Sequence, residues 1–232
     1  MCWLIIIFTI LLILFLVWAS ADVASNVYLK TICKADVKEK VLTLTFDDGP
    51  DKINTPKVLD VLKKYNIQAT FFLIGAKVEQ NADIVKRIVE EGNIVANHTY
   101  SHGGYFPLCS RKKVELELTK CAESIYKTIG KYPKLFRPPF GVTNPIIGKV
   151  VTKLKFNAIG WSVRSLDTIE NKTREEISNR VAKIIHPGAI ILLHDRCKDA
   201  DKLLESIIEY ALKNDYSFIT LDKMINVQAY EN

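Results

Sequence analysis

The chain has 232 residues, is 48% hydrophobic and 25% charged, and carries a formal net charge of +6. That length suits one domain with a sizeable core, and that share of charge and apolar residues excludes a disordered chain. Only one long apolar run is present, so a polytopic membrane protein is excluded too.

That run comes first, from Trp3 to Trp18, broken only by Thr9 and free of charge. As a helix it would reach about 24 Å, short of a hydrocarbon core of about 30 Å. It ends in Ala19-Ser20-Ala21, small residues that fit a signal-peptidase site. Residues 1–21 are therefore read as an export signal, with an uncleaved membrane anchor as the alternative. The basic residues Lys30, Lys34, Lys38 and Lys40 follow the run and none precedes it, which by the positive-inside rule favours the opposite orientation. Residues 22–39 read as a lead-in and 40–232 as the domain proper. Of five cysteines, Cys2 falls in the N-terminal segment; the other four, Cys33, Cys109, Cys121 and Cys197, permit disulfides after export, and no Cys-x-x-Cys pair suggests a thiolate zinc site.

Beyond residue 40 the chain alternates. β-Branched or aromatic runs at Val41–Phe46, Ala69–Ile74, Asn93–Ala96, Lys134–Phe136, Phe156–Val163, Ala189–Leu193 and Ser217–Thr220 predict seven strands. Helical periodicity marks Thr55–Tyr65, Val78–Glu90, Lys112–Ile129, Pro145–Leu154, Arg174–Ile185 and Leu203–Leu212. Asn54-Thr55-Pro56 predicts a helix start with Asn54 as the capping residue. The alternation implies a parallel sheet with helices outside it, closed or nearly closed into a barrel, with a doubly wound open sheet as the alternative. Lysines and arginines are interleaved with acids, as from Arg111 to Glu117, so the charge reads as solvated helix face and no nucleic-acid partner is expected.

In such folds chemistry sits at the carboxyl ends of the strands. The unusual polar residues fall there: Asp47-Asp48, His98, Arg137 and His194-Asp195 each follow a strand run. Adjacent carboxylates repel, and a cation relieves that conflict, leaving one Asp as ligand and the other as base. His98 and His102, two of only four histidines, have the spacing of one helical face and complete a two-His, one-carboxylate set with open positions. His194 titrates near neutrality and suits a general acid. His186, at a helix-to-strand turn on the opposite side, reads as structural.

The four motifs Thr45-Phe46-Asp47-Asp48-Gly49-Pro50, His98-Thr99-Tyr100-Ser101-His102, Arg137-Pro138-Pro139-Phe140-Gly141 and Leu192-Leu193-His194 occur in this order. Together they resemble the polysaccharide deacetylase family (NodB homology, carbohydrate esterase family 4) over roughly residues 40–225. The resemblance implies a distorted (β/α) barrel of about seven parallel strands with outer helices. It also implies one divalent ion, zinc before cobalt, nickel or manganese. By resemblance Asp47 is the catalytic base, and Asp48, His98 and His102 are the metal ligands. Arg137 orients the base, and the Phe140 N–H is the oxyanion donor. His194 is the general acid, and Leu192 lines the acetyl pocket. The sequence departs from the family at Arg164 and Thr168, which stand where the pattern has Asp and Trp. The replaced Asp is the one that helps orient the acid histidine in relatives, so Asp167 is expected to hold His194 instead. The implied activity is hydrolytic removal of N-acetyl groups from an N-acetylated glycan, by an exported, monomeric enzyme that meets a membrane only through an uncleaved N-terminal segment. A non-catalytic glycan-binding module and an O-acetyl esterase are the competing expectations.

Overall fold

The computed structural model describes residues 2–231. The apolar run forms α1 (Cys2–Ala21). The helix continues through the small residues, so its apolar length from Trp3 to Ala21 is 19 residues rather than the 16 of the run itself. From Trp3 to Trp18 its side chains are exposed, but its last turn is docked. Ala19 is fully buried, and the Ser20 carbonyl accepts a hydrogen bond from the Thr143 N–H at 3.0 Å.

The segment read as a lead-in supplies a strand of its own, β1 (Thr31–Ile32). Then follow β2 (Val41–Gly49), α2 (Asn54–Tyr65), β3 (Thr70–Leu73), α3 (Gly75–Gln80), α4 (Ala82–Glu90) and β4 (Ile94–Asn97). The second half holds α5 (Arg111–Ile129), β5 (Leu135–Phe136), α6 (Pro145–Lys153), β6 (Asn157–Ile159), β7 (Val163–Arg164) and α7 (Arg174–Ile184). It closes with β8 (Ala189–His194), α8 (Ala200–Lys213), β9 (Ser217–Phe218) and α9 (Leu221–Ile225). The strands form one sheet in the order β1-β6-β5-β4-β3-β2-β8-β7, with β9 also on β2, and every strand pairing is parallel. The path leaves a seam between β1 and β7. Main-chain bonds cross it in the antiparallel sense, with Lys34 bridged to Ala189 and the Ala35 N–H donating to the Gly188 carbonyl. The sheet is thus the nearly closed barrel that the alternation implied, with the distortion that the family resemblance implied.

Strand alternation sorts the side chains. Leu42, Leu44 and Phe46 of β2, and Ala189, Ile191 and Leu193 of β8, pack outward against Val58, Leu59 and Leu62 of α2 and Leu204, Ile207 and Ile208 of α8. Phe72, Leu135, Ile159 and Ile190 join a separate cluster with Leu221 and Met224 of α9. On β2 and β8 the residues between the outward leucines and isoleucines are Thr43, Thr45, Asp47, Leu192 and His194. The polar strand ends therefore share the inner side.

Several local expectations need correction. The helix predicted over Val78–Glu90 is two helices, broken at Asn81, whose backbone (φ −134°, ψ 46°) is not helical. The strand predicted over Phe156–Val163 is also two, because Gly160–Ser162 turn the chain from β6, beside β1, to β7, beside β8. Asn54 makes no cap. The Asp51 carboxylate accepts the Ile53 and Asn54 N–H groups at 3.0 and 2.7 Å, and so serves the first turn from further upstream. Cys33, Cys109, Cys121 and Cys197 are free thiols.

Candidate active site

A cleft of about 550 Å³ opens where these strand ends converge, lined among others by Asp47, Asp48, His98, His102, Phe140, Leu192 and His194. Successive residues of a regular strand face opposite ways, so Asp47 and Asp48 would not share a site. The pairing of β2 with β3 slips between Asp47 and Gly49, and Asp48 takes a left-handed φ of 71°. This bulge turns Asp48 onto the side that Asp47 already faces.

Asp47 is buried, and its Oδ1 accepts a hydrogen bond from Arg137 Nη1 at 2.7 Å. Arg137 has no solvent exposure. Its remaining donors reach Thr45 Oγ1 at 2.8 Å, the Gly160 carbonyl at 2.8 Å and the Ile159 carbonyl at 3.3 Å. The guanidinium carbon lies 4.1 Å from the Phe72 ring centroid. Burial lowers the pKa of Arg137 and the Asp47 carboxylate opposes that shift. The fork thus fixes one carboxylate oxygen of Asp47 and leaves the other to the cleft.

The two histidines do not sit on a helix, as their spacing suggested. They occupy a loop after β4, bent by left-handed residues at Thr99 (φ 66°) and His102 (φ 47°). Asn97 Oδ1 accepts the Thr99 N–H, Thr99 Oγ1 accepts the His102 N–H, and Glu117 accepts both the N–H and the hydroxyl of Ser101. The loop is therefore tied down on both sides of the histidines. His98 Nδ1 lies 2.8 Å from the Arg137 carbonyl, which can only accept, so Nδ1 carries a proton and Nε2 is the nitrogen turned inward.

His98 Nε2 and His102 Nε2 lie 3.5 and 3.3 Å from Asp48 Oδ1. Burial, then the neighbouring His98, lowers the His102 pKa to about 4, so that ring is neutral at pH 7. Burial works against the Asp48 charge, but hydrogen bonding and charge from His98, with His102 and Arg196, hold its carboxyl well below the usual range. Two inward imidazole nitrogens and a carboxylate oxygen within 4.8 Å of one another suit a divalent ion with nitrogen and oxygen ligands, and the set leaves coordination positions open.

Across the cleft, His194 Nδ1 and its backbone N–H both bond the Asp167 carboxylate, at 2.8 and 2.7 Å. Burial alone would lower the His194 pKa; Asp167 outweighs it and the pKa is raised. His194 Nε2 faces Asp48 Oδ2 at 4.0 Å. The Asp167 carboxylate thus ties both the ring and the main chain of His194. Phe140 is half exposed at the mouth, with its ring 4.9 Å from that of His102. Leu192, buried in the cleft wall, is in register with Thr45 on one side and Arg164 on the other. His186 bonds Ser162 Oγ at 3.0 Å and does not line the cleft.

Three neighbours, Arg196, Lys77 and Trp161, were not read from the sequence. Arg196 Nε donates to Asp48 Oδ2 at 2.8 Å, and Lys77 Nζ donates to the Asp48 carbonyl at 2.7 Å. Trp161 packs so closely on Gly141 that a Cβ there would meet its ring at 2.5 Å, and Gly141 holds a φ of 71°. Asp195 is buried, accepts from Thr55 Oγ1 at 2.5 Å, and has its carboxyl pushed up to about 7 by burial. Arg196, two residues past His194, was open to the same strand-end argument. Cys197 lines a neighbouring hollow rather than this cleft.

The polysaccharide deacetylase family model matches residues 34–159. The chain is 36% identical over 193 residues to a peptidoglycan-N-acetylmuramic acid deacetylase, PdaA, of Bacillus subtilis, which covers 82% of this chain and 73% of that protein. A crystallised peptidoglycan N-acetylglucosamine deacetylase, Bc1960, superposes with a TM-score of 0.81 and 32% identity over 86% of this chain and 94% of its own. BA3943, described as a CE4 family pseudoenzyme of Bacillus anthracis, superposes with a TM-score of 0.78 and 26% identity over 84% of this chain and 68% of its own.

Proposed function

Because the chain belongs to the polysaccharide deacetylase family, we propose that it removes N-acetyl groups from an N-acetylglucosamine-containing glycan by metal-dependent hydrolysis. One observation carries this reading: an arginine-held carboxylate, an Asp-His-His ligand set and a carboxylate-held histidine converge on one cleft. The peptidoglycan deacetylases among the relatives put that polymer first, ahead of chitin oligosaccharides and other envelope polysaccharides. An O-acetyl ester needs the same groups and is a further substrate to test.

Asp48, His98 and His102 would hold the divalent ion, zinc before cobalt, nickel or manganese. When bound, such an ion lowers the pKa of water and polarises a carbonyl. Asp47 takes the proton of the attacking water, and Arg137 aims the free oxygen of that carboxylate. The Phe140 N–H supports the developing oxyanion, a contact whose removal in comparable sites costs roughly 3 kcal/mol. Leu192 seats the acetyl methyl group. The carbon–nitrogen bond breaks as His194 delivers its proton to the leaving nitrogen, with Asp167 holding the ring in place and favouring its charged form. Acetate and a free sugar amine are the products.

The proposed division is an N-terminal segment of residues 1–21, a lead-in of 22–39 and a deacetylase domain of 40–232 acting as a monomer. The proposed location is the cell envelope, outside the cytoplasm. The buried Ala19 and the bond from Thr143 to Ser20 support retention of α1 as an anchor, since cleavage after Ala21 would strip packed groups from the domain.

Acetate release from a panel of N-acetylated and O-acetylated glycans, before and after chelation and with zinc restored, tests the function. Release that chelation abolishes, zinc restores and Asp47→Ala eliminates supports it. No release from any glycan at full metal occupancy overturns it.

A further inference from the structure

No linker separates α1 from the domain. Its apolar length from Trp3 to Ala21 is 19 residues, about 28 Å as a helix, close to a hydrocarbon core of about 30 Å. Trp18, an aromatic of the kind that favours the membrane interface, directly precedes the docked turn. There Ala19 is fully buried, its carbonyl accepts the Ser25 hydroxyl at 2.9 Å, and the Ser20 carbonyl accepts the Thr143 N–H. When α1 spans a bilayer, the domain surface around Thr143 therefore lies at the membrane surface.

Named contacts define that surface. Asn144, next to Thr143, donates from Nδ2 to the Pro107 carbonyl at 2.6 Å. Pro107 stands between Tyr105 and Leu108, which are 81% and 84% exposed. Phe106 is buried in one cluster with Ile147 of α6 and Leu29 of the lead-in, so the loop is pinned beside the exit of α1. Ile146, at the start of α6, is a further exposed apolar side chain. Cations flank this group: Arg111 opens α5, Lys149 lies on α6, and both line a shallow hollow with Val27. Both are exposed, and among the described residues neither side chain makes a hydrogen bond or ion pair. The nearby acids are occupied, Glu115 with Lys153, Glu117 with Lys113, and Asp22 with the Ala24 N–H. Exposed apolar tips flanked by free cations, beside a membrane span, suit the headgroup region of an anionic bilayer.

Resting on the anchor reading above, we propose that this face of the domain docks on the bilayer that α1 spans. Tyr105, Leu108 and Ile146 enter the headgroup region, and Arg111 and Lys149 meet anionic lipid. The membrane contact is thus wider than α1 and fixes the orientation of the domain. Tyr105 lies three residues past His102, and Thr143 three past Phe140, so docking sets the cleft mouth close to the bilayer.

Hydrogen–deuterium exchange on the full chain provides the test. It is run in nanodiscs of equimolar phosphatidylglycerol and phosphatidylcholine, in nanodiscs of phosphatidylcholine alone, and in micelles of a neutral detergent. Exchange over residues 103–110 should slow about tenfold or more in anionic discs relative to micelles, and less in neutral discs. The exposed end of α8 at Leu212 should exchange alike in all three. Leu108→Asp, and Arg111→Glu combined with Lys149→Glu, should each remove most of that protection while α1 stays protected. An unchanged melting temperature checks that these exposed positions leave the fold intact. Identical exchange over residues 103–110 in all three environments, with α1 protected, overturns the proposal. Equal slowing in neutral and anionic discs, unmoved by the charge reversals, overturns the assignment to anionic lipid. Free exchange along α1 in the discs refutes the anchor itself, and the proposal with it. None of these readouts needs turnover, so they stand apart from the deacetylase reading.

Discussion

Replacing Asp167 with Asn isolates one interaction of the site. The carboxylate now accepts two hydrogen bonds from His194, from the ring Nδ1–H at 2.8 Å and from the backbone N–H at 2.7 Å. An amide keeps the shape but has one acceptor and one donor, so one of those two N–H groups faces another donor. It also removes the negative charge that favours the imidazolium. The pair is well shielded, with side-chain exposures of 16% and 3%, so solvent screening takes little from it. A hydrogen bond to a charged partner is worth about 1.5–3 kcal/mol, and 1.36 kcal/mol corresponds to one pKa unit. Losing that bond and charge should therefore lower the His194 pKa in the variant. His194 acts in its protonated form, so the alkaline limb of the pH profile of kcat/KM should move down by the same amount. At pH 8 the rate should drop about tenfold or more, while the loss near pH 6 stays smaller. A full profile from pH 5 to 9 on one glycan, with acetate as readout, provides the measurement. An alkaline limb that stays in place, or a loss that is uniform across pH, would refute the assignment of Asp167 as the residue that tunes His194. Stability follows the same linkage. Because the folded pKa of His194 is raised, its pairing stabilises the fold fully below about pH 6.5 and fades as pH rises through the folded value.

Arg137→Met should destabilise the fold by about 3–5 kcal/mol, since it leaves the buried Asp47 charge unpaired. Urea unfolding reads that loss, and activity should vanish with it. In contrast, Asp47→Asn/Arg137→Met should recover much of the stability and none of the activity. Gly141→Ala meets both the Trp161 ring and a left-handed backbone, and should cost more than tenfold in kcat with the metal still bound, as checked by metal analysis. If α1 is retained, intact-mass measurement of protein extracted from the envelope should return the chain with residues before Asp22 still attached. A mature N-terminus at Asp22 would reject the anchor.

The motif residues could be found in the sequence because each lies at the end of a strand whose alternation is locally encoded. Leu42, Leu44 and Phe46 already sort β2 into an apolar face and a face holding Thr45 and Asp47, and Ile191 and Leu193 do the same for His194. The surrounding contacts were hidden for the opposite reason. Arg196 and Asp48 are far apart in the chain, as are Lys77 and the Asp48 carbonyl, and nothing local in either segment marks the other. His98 and His102 were read as helical neighbours because a spacing of four has that meaning on a helix. The loop reaches the same convergence through two left-handed residues instead.

The amino-acid sequence by itself determined the parallel strand-and-helix alternation, the apolar N-terminal helix and the set of polar residues behind the strands. These follow from periodicity and residue type, which act over a few neighbouring positions. Tertiary structure alone decided that a bulge brings Asp48 to the side of Asp47, that Arg196 and Lys77 close on Asp48, and that the end of α1 is packed into the domain. It also placed Arg164 beside Trp161 at the edge of the cleft. Each of these depends on which distant groups the folded chain brings together to share a charge, a hydrogen bond or a buried surface, and no local pattern specifies that.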